Sequence, residues 1–245
     1  MSAVSERANS AHRTTDCITY KIASTRDERE AAFRLVYESY LEAGLSLPNP
    51  HRMRVPPHHL LATTQMFVAL HEGEMIFTAS LVADGALGLP MESIFPGEVA
   101  ARRNQGMRLS EVTCLADRRS HFRSCFPVFL RLSRMMVQYA RRQQIDEILV
   151  ATHPRHARLY RRMLCFESFG EQRDYPLVRN SPAVPLVLDF DVAERAQPEN
   201  YDTFFGEPVS SHLLRPQPIT PEQRDYFSRF VDTSHECGLE VEAAG

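Results

Sequence analysis

The spacing of apolar residues changes repeatedly between residues 17 and 190, and this change restricts the chain to folds that combine strands with helices. Short segments with alternating or continuous apolar residues are separated by segments whose apolar side chains recur every three or four positions. The clearest helix spans residues 28–44 and carries Phe33, Tyr37 and Tyr40 on one face. We therefore predict an α/β (α+β) protein.

The order of the predicted elements is strand, helix, two strands, strand, helix, strand, helix, strand. This order predicts one mixed sheet with helices on both faces. The two consecutive strands form a hairpin that turns at Glu72-Gly73. The predicted segments are 17–24, 28–44, 66–84, 109–116, 126–144, 146–154, 154–166 and 182–190, with a short helix before the fourth strand.

Three regions differ in composition. Residues 1–16 are polar and aperiodic, which predicts a disordered leader without the apolar segment of a secretory signal. Residues 17–190 form the predicted folded domain. Residues 191–245 form a Pro-rich extension, in which Thr-Pro-Glu-Gln at 220–223 predicts the capped start of one helix.

Cellular location is predicted from apolar runs and cysteines. No run reaches the roughly 18 to 20 apolar residues of a membrane span. The 5 cysteines include no CxxC pair, which fits a reducing compartment. We expect a cytoplasmic protein without a membrane span.

Positive charge is concentrated in one part of the chain, although the net charge is −3. Residues 102–162 carry 14 arginines and 4 acidic residues, a net charge of +10, whereas residues 191–245 carry a net charge of −7. This distribution predicts an anionic partner, or a solvated face paired with the acidic extension. Nucleic acid is not the expected partner, because the basic stretch lacks the aromatic interleaving and motifs of common nucleic-acid binders.

Four segments resemble the long-chain N-acyl amino acid synthases of the GNAT acyltransferase superfamily, which are related to the acyl-homoserine-lactone (autoinducer) synthases. The segments are FRLVYESYLEAG, LPMESIFPGEVAARRNQGMRLSEVTCLA, HPRHARLYRRMLCFESFGE and PAVPLVLDF. The resemblance covers roughly residues 18–190. It implies the GNAT fold, with a mostly antiparallel sheet, and transfer of a long fatty acyl chain from acyl carrier protein to the amine of an amino acid. It implies no metal and no tightly bound cofactor.

The loop after strand 109–116 favours acyl carrier protein over coenzyme A as the donor. GNAT enzymes that use coenzyme A bring backbone N–H groups to its pyrophosphate through glycines, but no glycine occurs between Gly106 and Gly170. The Gly-Phe that usually follows the last helix of the fold is Cys165-Phe166 here. Arginine side chains suit the single phosphodiester of phosphopantetheine and an acidic protein surface. The expected donor-binding residues are Arg118, Arg119, Arg123 and Ser124.

The arginines of the following helices are further candidates for binding the carrier protein. Some of them are expected only to solvate helix faces. These residues are Arg131, Arg134, Arg155, Arg158, Arg161 and Arg162.

Aminolysis of a thioester needs a neutral amine, so a general base is expected. The related lactone synthases have a glutamate in the equivalent strand, and Glu111 matches it; a buried carboxylate there would have a raised pKa. An outward-facing carboxylate is the alternative. Backbone N–H groups near Leu115 and Ala116, where the strand is expected to separate from strand 146–154, are candidates for stabilising the oxyanion. Tyr160 matches the GNAT tyrosine that protonates the leaving thiolate, with aromatic packing as its alternative.

The acceptor is expected beneath the first helix, with Arg34 and Tyr37 as candidate contacts. The alternatives are a salt bridge from Arg34 to Glu30 or Glu38 and a core position for Tyr37. A metal site is not expected, because no histidines have a recognised ligand spacing. Cys114 lacks a Cys–His–Asn pattern for covalent catalysis. The candidate lining of an acyl tunnel is Phe126, Phe129, Met135, Met136 and Leu149.

Three other functions remain open at this point. An acyl-homoserine-lactone synthase is disfavoured by Thr113-Cys114, where those enzymes usually have Ser-Arg, and by Leu35-Val36-Tyr37 in place of Leu-Arg-Tyr. An acetyl-CoA-dependent GNAT enzyme is disfavoured by the glycine-free loop. A non-catalytic module that binds carrier protein or lipid is the third alternative.

Overall fold

An eight-stranded sheet forms the centre of the protein. The structure is a computed structural model and describes residues 18–118 and 122–231, with backbone only for 122–125. The strands are β1 (Ile18–Ile22), β2 (Gln65–His71), β3 (Glu74–Ala83), β4 (Leu109–Asp117), β5 (Glu147–Thr152), β6 (Glu167–Ser168), β7 (Arg173–Tyr175) and β8 (Ser181–Asp189). They are ordered β1-β2-β3-β4-β5-β8-β6, with β7 paired to β8. Among the eight described strands, β4 and β5 are the one parallel pair, so the predicted mixed and mostly antiparallel sheet is confirmed.

Helices cover both faces of the sheet, as predicted. They are α1 (Arg26–Glu42), α2 (Pro96–Asn104), α3 (Phe122–Arg142), α4 (Pro154–Met163), α5 (Phe190–Ala196), α6 (Tyr201–Phe205) and α7 (Pro221–Ser228). Helices α3 to α6 pack on one face around residues such as Phe67 and Ile148. Helices α1, α2 and α7 pack on the other face, together with a 3₁₀ turn at Pro90–Ser93.

Strand β4 is irregular in two ways that open the sheet. Its pairing with β5 covers only Leu109–Glu111 against Glu147–Leu149, so the two strands separate after Glu111. Its pairing with β3 shifts by one residue beyond Thr113, and Cys114 in this bulge has a φ of 51°. A positive φ costs a residue other than glycine roughly 1–2 kcal/mol, so the surrounding packing must hold this conformation.

The C-terminal extension differs from its prediction. One helix was expected within residues 191–245, but the described part contains α6 and α7, and α5 begins at Phe190. Helices α5 and α6 have only 7 and 5 residues, too few for a clear helical period. The predicted capping box is present at α7, where Thr220 and Gln223 cap each other's backbone. The predicted leader, residues 1–16, lies outside the described residues.

The extension packs into the core of the domain. Phe227 of α7 is fully buried and its ring centroid lies 5.0 Å from that of Phe33 on α1. The buried Arg29 of α1 donates from Nη2 to the Gln217 carbonyl oxygen at 2.6 Å. Residues 191–231 are thus part of the same folded unit as the sheet.

None of the helices within the described residues has both the length and the apolar character needed to cross a bilayer.

Replacement of Phe227 by alanine tests whether the extension stabilises the domain. We expect Phe227→Ala to lower the free energy of unfolding by about 3–5 kcal/mol, because it leaves a cavity in the core. Urea denaturation of the full chain measures this loss. Val192→Ala on α5 is the control, since Val192 is 39% exposed and the change should cost less than about 0.5 kcal/mol. Equal stability of the two variants would contradict a stabilising role for the extension.

Candidate active site

Glu111 is the last β4 residue that pairs with β5, and its side chain points into the protein. It is 2% exposed, and its Oε2 atom accepts a hydrogen bond from the Met91 backbone N–H at 2.8 Å. Burial raises the pKa of this carboxyl to about 8, while the Met91 hydrogen bond opposes the rise and Glu92 adds to it. The alternative of an outward-facing carboxylate is therefore wrong. A carboxyl whose pKa lies close to neutrality is suited to accepting a proton from an amine.

The bulge in β4 lies next to the opening between β4 and β5. Cys114 and Ala116 pack toward α1, whereas Val112 and Leu115 pack toward α3 and α4. Leu115 and Ala116, the predicted oxyanion donors, thus follow the αL residue on the stretch of β4 that no longer pairs with β5. Their role remains a prediction.

Three more side chains, Tyr40, Tyr175 and Arg54, lie on the same face of the sheet as Glu111. The sequence leaves Tyr40 open as a core residue or an acceptor contact, and it does not assign Tyr175 or Arg54 to the site. Burial raises the pKa of the Tyr40 hydroxyl, with smaller effects from Cys114, Tyr160 and Glu111. Burial likewise raises the pKa of Tyr175, whose hydroxyl donates to the Pro90 carbonyl oxygen at 3.1 Å. Arg54 is 5% exposed, lies 5.1 Å above the Tyr40 ring, and donates from Nη2 to the Leu177 carbonyl oxygen at 2.9 Å.

Long-range packing brings these residues to the site from segments that are distant in the sequence. Arg54 comes from the Pro- and His-rich loop after α1, and Tyr175 comes from the short strand β7. The loop's composition was the only sequence signal available for Arg54, and nothing local pointed to Tyr175.

Tyr160 lies on α4, on the opposite face of the sheet from Tyr40. Its ring meets Phe129 and Phe166 edge-on, with centroid distances of 6.2 and 5.4 Å. Burial raises the pKa of its hydroxyl to about 12. Tyr160 makes a small contribution to the raised pKa of Tyr40. Its packing contacts agree with the alternative interpretation, and its role as a proton donor remains a prediction.

A narrow apolar cavity of about 20 Å³ adjoins the opening on the α3 and α4 face, so an acyl chain would have to displace lining side chains to enter it. Phe129 and Met136, two predicted tunnel residues, line it, and Phe126 packs against Phe129. Met135 is buried elsewhere in this core, and Leu149 packs on the α2 face, so Leu149 was wrongly placed in the tunnel. The full lining is Val112, Leu115, Phe129, Ser133, Met136, Val137, Ile148, Tyr160, Leu164, Phe166 and Phe204.

The two predicted acceptor contacts are engaged in structural interactions. Arg34 donates from Nε and Nη2 to Glu30 Oε1 at 3.1 and 2.7 Å, which is the salt bridge considered from the sequence. Tyr37 is 4% exposed, and its hydroxyl oxygen accepts from the Asn49 backbone N–H at 3.3 Å. Acceptor binding by Arg34 would require it to leave Glu30.

The predicted donor-binding loop is only partly described. Arg118 is exposed and lies 3.8 Å from Glu74. Arg119 lies outside the described residues. Arg123 and Ser124 belong to the first turn of α3, with side chains outside the described set.

The helix arginines fall into two groups. On α3, Arg134 pairs with Glu207, and Arg141 pairs with Glu194 at 2.9 Å. On α4, the arginines are exposed, and no described carboxylate lies within ion-pair distance of them. These α4 arginines are Arg155, Arg158, Arg161 and Arg162.

Metal and cysteine chemistry receive no support from the described side chains. Among them, no three His, Cys, Asp or Glu residues form a group able to hold a metal ion. Burial raises the pKa of the Cys114 thiol, with Arg54 and Thr113 opposing and Glu111 adding to the rise. A buried thiol of raised pKa is a poor nucleophile at neutral pH.

Comparison with known proteins agrees with the family predicted from the sequence. A family model described as "N-acyl amino acid synthase FeeM" matches residues 31–189. The solved structure of FeeM, an N-acyl amino acid synthase from uncultured soil microbes, has a TM-score of 0.65 and 28% identity, covering 73% of this chain and 93% of that chain. Comparison with curated protein sequences gives no match.

Two acyl-homoserine-lactone synthases share the fold at lower identity. The synthase LasI has a TM-score of 0.57 and 12% identity, covering 79% of this chain and 96% of its own. The CoA-dependent synthase BjaI, solved with SAM and isopentyl-CoA, has a TM-score of 0.56 and 14% identity, covering 86% and 100%.

The pH dependence of stability tests the environment of Glu111. Between the ordinary Glu pKa and about 8, the folded state keeps a proton on Glu111 that the unfolded state has released. This proton makes stability fall as pH rises through that window, by at most about 1.4 kcal/mol per pH unit, and the loss is complete above pH 8.

Glu111→Gln keeps an acceptor for the Met91 N–H but cannot ionise. We expect it to gain stability over the wild type as pH rises from 5 to 8, in urea denaturation across that range. Parallel profiles for the two proteins would show that Glu111 titrates normally.

Proposed function

The chain belongs to the N-acyl amino acid synthase FeeM family of acyltransferases, and we propose that it transfers a long-chain fatty acyl group from acyl carrier protein to the amine of an amino acid. The observation that carries the proposal is the buried Glu111 carboxyl, placed where β4 leaves β5 and beside an apolar cavity.

The chemical step is aminolysis of a thioester. In its ionised form, Glu111 removes a proton from the acceptor ammonium, and the amine attacks the thioester carbonyl carbon. The tetrahedral oxyanion is stabilised by backbone N–H groups at Leu115 and Ala116. Its collapse breaks the C–S bond, and the thiolate takes a proton from Tyr160. The products are an N-acyl amino acid and the free phosphopantetheine thiol.

The acceptor approaches from the α1 face, since the Glu111 carboxyl lies there and is hydrogen-bonded to the Met91 N–H. Arg34 and Tyr37 remain the acceptor contacts expected from the sequence. Arg54 is a further candidate for the acceptor carboxylate, because its buried guanidinium lies over the Tyr40 ring and within electrostatic reach of Cys114 in the β4 bulge.

Donor choice rests on charge and on glycine content. Arg118, Arg119, Arg123 and Ser124 form the proposed phosphopantetheine site at the start of α3. Three of the α4 arginines, Arg155, Arg158 and Arg162, are spaced by three and four residues and share one face of the helix. This exposed basic stripe suits the acidic surface of a carrier protein.

Product analysis with the full chain tests the reaction. Purified protein, long-chain acyl carrier protein and the common amino acids should yield an N-acyl amino acid by mass spectrometry. Glu111→Gln should lower kcat/KM by about 10²–10⁴-fold, because general-base catalysis is lost while the Met91 hydrogen bond is kept. Absence of product with every amino acid would refute the function. A product that requires S-adenosylmethionine would instead indicate a lactone synthase.

Charge reversal on α4 tests the carrier protein as donor. Arg158→Glu with Arg162→Glu should raise the KM for acyl carrier protein roughly tenfold or more, because electrostatic steering is lost. Turnover of the same acyl group on free pantetheine should be unchanged. The matched control is Arg224→Glu with Arg229→Glu, exposed on and beside α7 on the opposite face. Equal effects of the two pairs would contradict docking at α4.

A further inference from the structure

The apolar cavity has a definite direction along the sheet and α3. Val112 and Leu115 lie at the β4 opening, whereas Ile148 lies where β5 still pairs with β4. The α3 residues of the lining extend from Phe129 to Val137, a distance of about 12 Å along the helix axis. Because the cavity holds only about 20 Å³, a fatty chain attached at the opening would displace the lining side chains as it ran along α3 toward Val137.

Phe204 is the one lining residue contributed by the extension. It lies on α6, beyond the end of the family match at residue 189, and is 2% exposed. Its backbone carbonyl oxygen accepts a hydrogen bond from Gln138 Nε2 at 2.9 Å, so it is held beside the Val137 end of the cavity. The other members of the lining come from the sheet, α3, α4 and the segment directly after α4.

Hydrogen bonds from α3 hold the segment around Phe204 in place. Arg134 Nε donates to the Thr203 carbonyl oxygen at 2.6 Å. Gln138 Nε2 also donates to the Glu207 carbonyl oxygen at 2.8 Å, and Gln138 Oε1 accepts from the Val209 N–H at 2.7 Å. The backbone that carries the Phe204 ring cannot shift without breaking these bonds.

We propose that Phe204 closes the far end of the acyl cavity and limits the length of the fatty chain that the enzyme accepts. This proposal rests on the proposed function. The limit is a property of the extension, because the family match ends before α6.

Chain-length selectivity of Phe204→Ala tests the proposal in the full chain. Donors carrying lauroyl, myristoyl, palmitoyl and stearoyl groups are compared by kcat/KM. Each methylene newly accommodated should improve kcat/KM roughly three- to fourfold, so the palmitoyl-to-lauroyl ratio should rise about tenfold or more. Phe204→Leu, which leaves a smaller gap, should give an intermediate shift. Unchanged selectivity in both folded variants would overturn the proposal.

Phe205→Ala is the matched control. Phe205 is adjacent on α6 but stacks on Tyr201 at 4.5 Å and does not line the cavity. Its loss should leave chain preference unchanged, and a shift equal to that of Phe204→Ala would point to general loosening of α6 instead.

Fatty-acid binding separates this proposal from the catalytic one. Displacement of a fluorescent fatty acid by unlabelled acids of graded length should show the same shift toward longer chains in Phe204→Ala. If the wild-type protein forms no product but Phe204→Ala shifts fatty-acid binding toward longer chains, the proposed function is refuted and the role of Phe204 is retained. If product forms but Phe204→Ala shows no shift in chain preference, the proposed function is retained and the role of Phe204 is refuted.

Discussion

The separation of β4 from β5 is the feature on which the rest of the site depends. Two adjacent parallel strands would ordinarily continue their ladder, and an unpaired buried backbone group costs about as much as a lost hydrogen bond. Here the pairing ends at Glu111, and the extra residue in β4 beyond it places Cys114 in the αL conformation. Cys114 packs toward α1 and Leu115 packs toward α3, so both faces of β4 are held in place beside the opening. Backbone strain is thus retained where a substrate carbonyl would need free N–H groups.

A second cost is the desolvation of Glu111. The carboxyl is buried between β4 and the turn that contains Met91, and its raised pKa reflects incomplete compensation by a single backbone hydrogen bond. A residue that served only to stabilise the fold at this position would be apolar or would form an ion pair with a basic side chain. A carboxyl kept at this cost beside an open strand edge is better explained by proton transfer than by folding.

Local patterns in the sequence predicted the sheet, the helix layers and the capping box of α7, because these depend on residues close together in the chain. Glu111 followed from resemblance and strand alternation. The bulge could not be predicted, since αL positions in strands usually signal themselves by glycine and here a cysteine occupies one. Cys165, after α4, is a second cysteine with a positive φ, of 60°, in a backbone conformation that favours glycine. Arg54, Tyr175 and Phe204 reach their places through long-range packing, and Leu149 was misplaced because a strand buried on both faces gives no clue to which face each residue takes.

The acidic residues of the extension pair with some of the arginines on the basic helices. The sequence allowed the extension to lie against the basic region, and the structure shows this for α3, where Glu207 and Glu194 pair with Arg134 and Arg141. Those pairs fasten α6 and α5 to the face that contains the cavity, so the extension's charge serves its position. Because no described carboxylate reaches the α4 arginines, α4 keeps its positive charge, next to Tyr160. An anionic carrier that docked there would deliver its thioester to the open edge of β4, with its acyl chain directed along α3 toward Phe204.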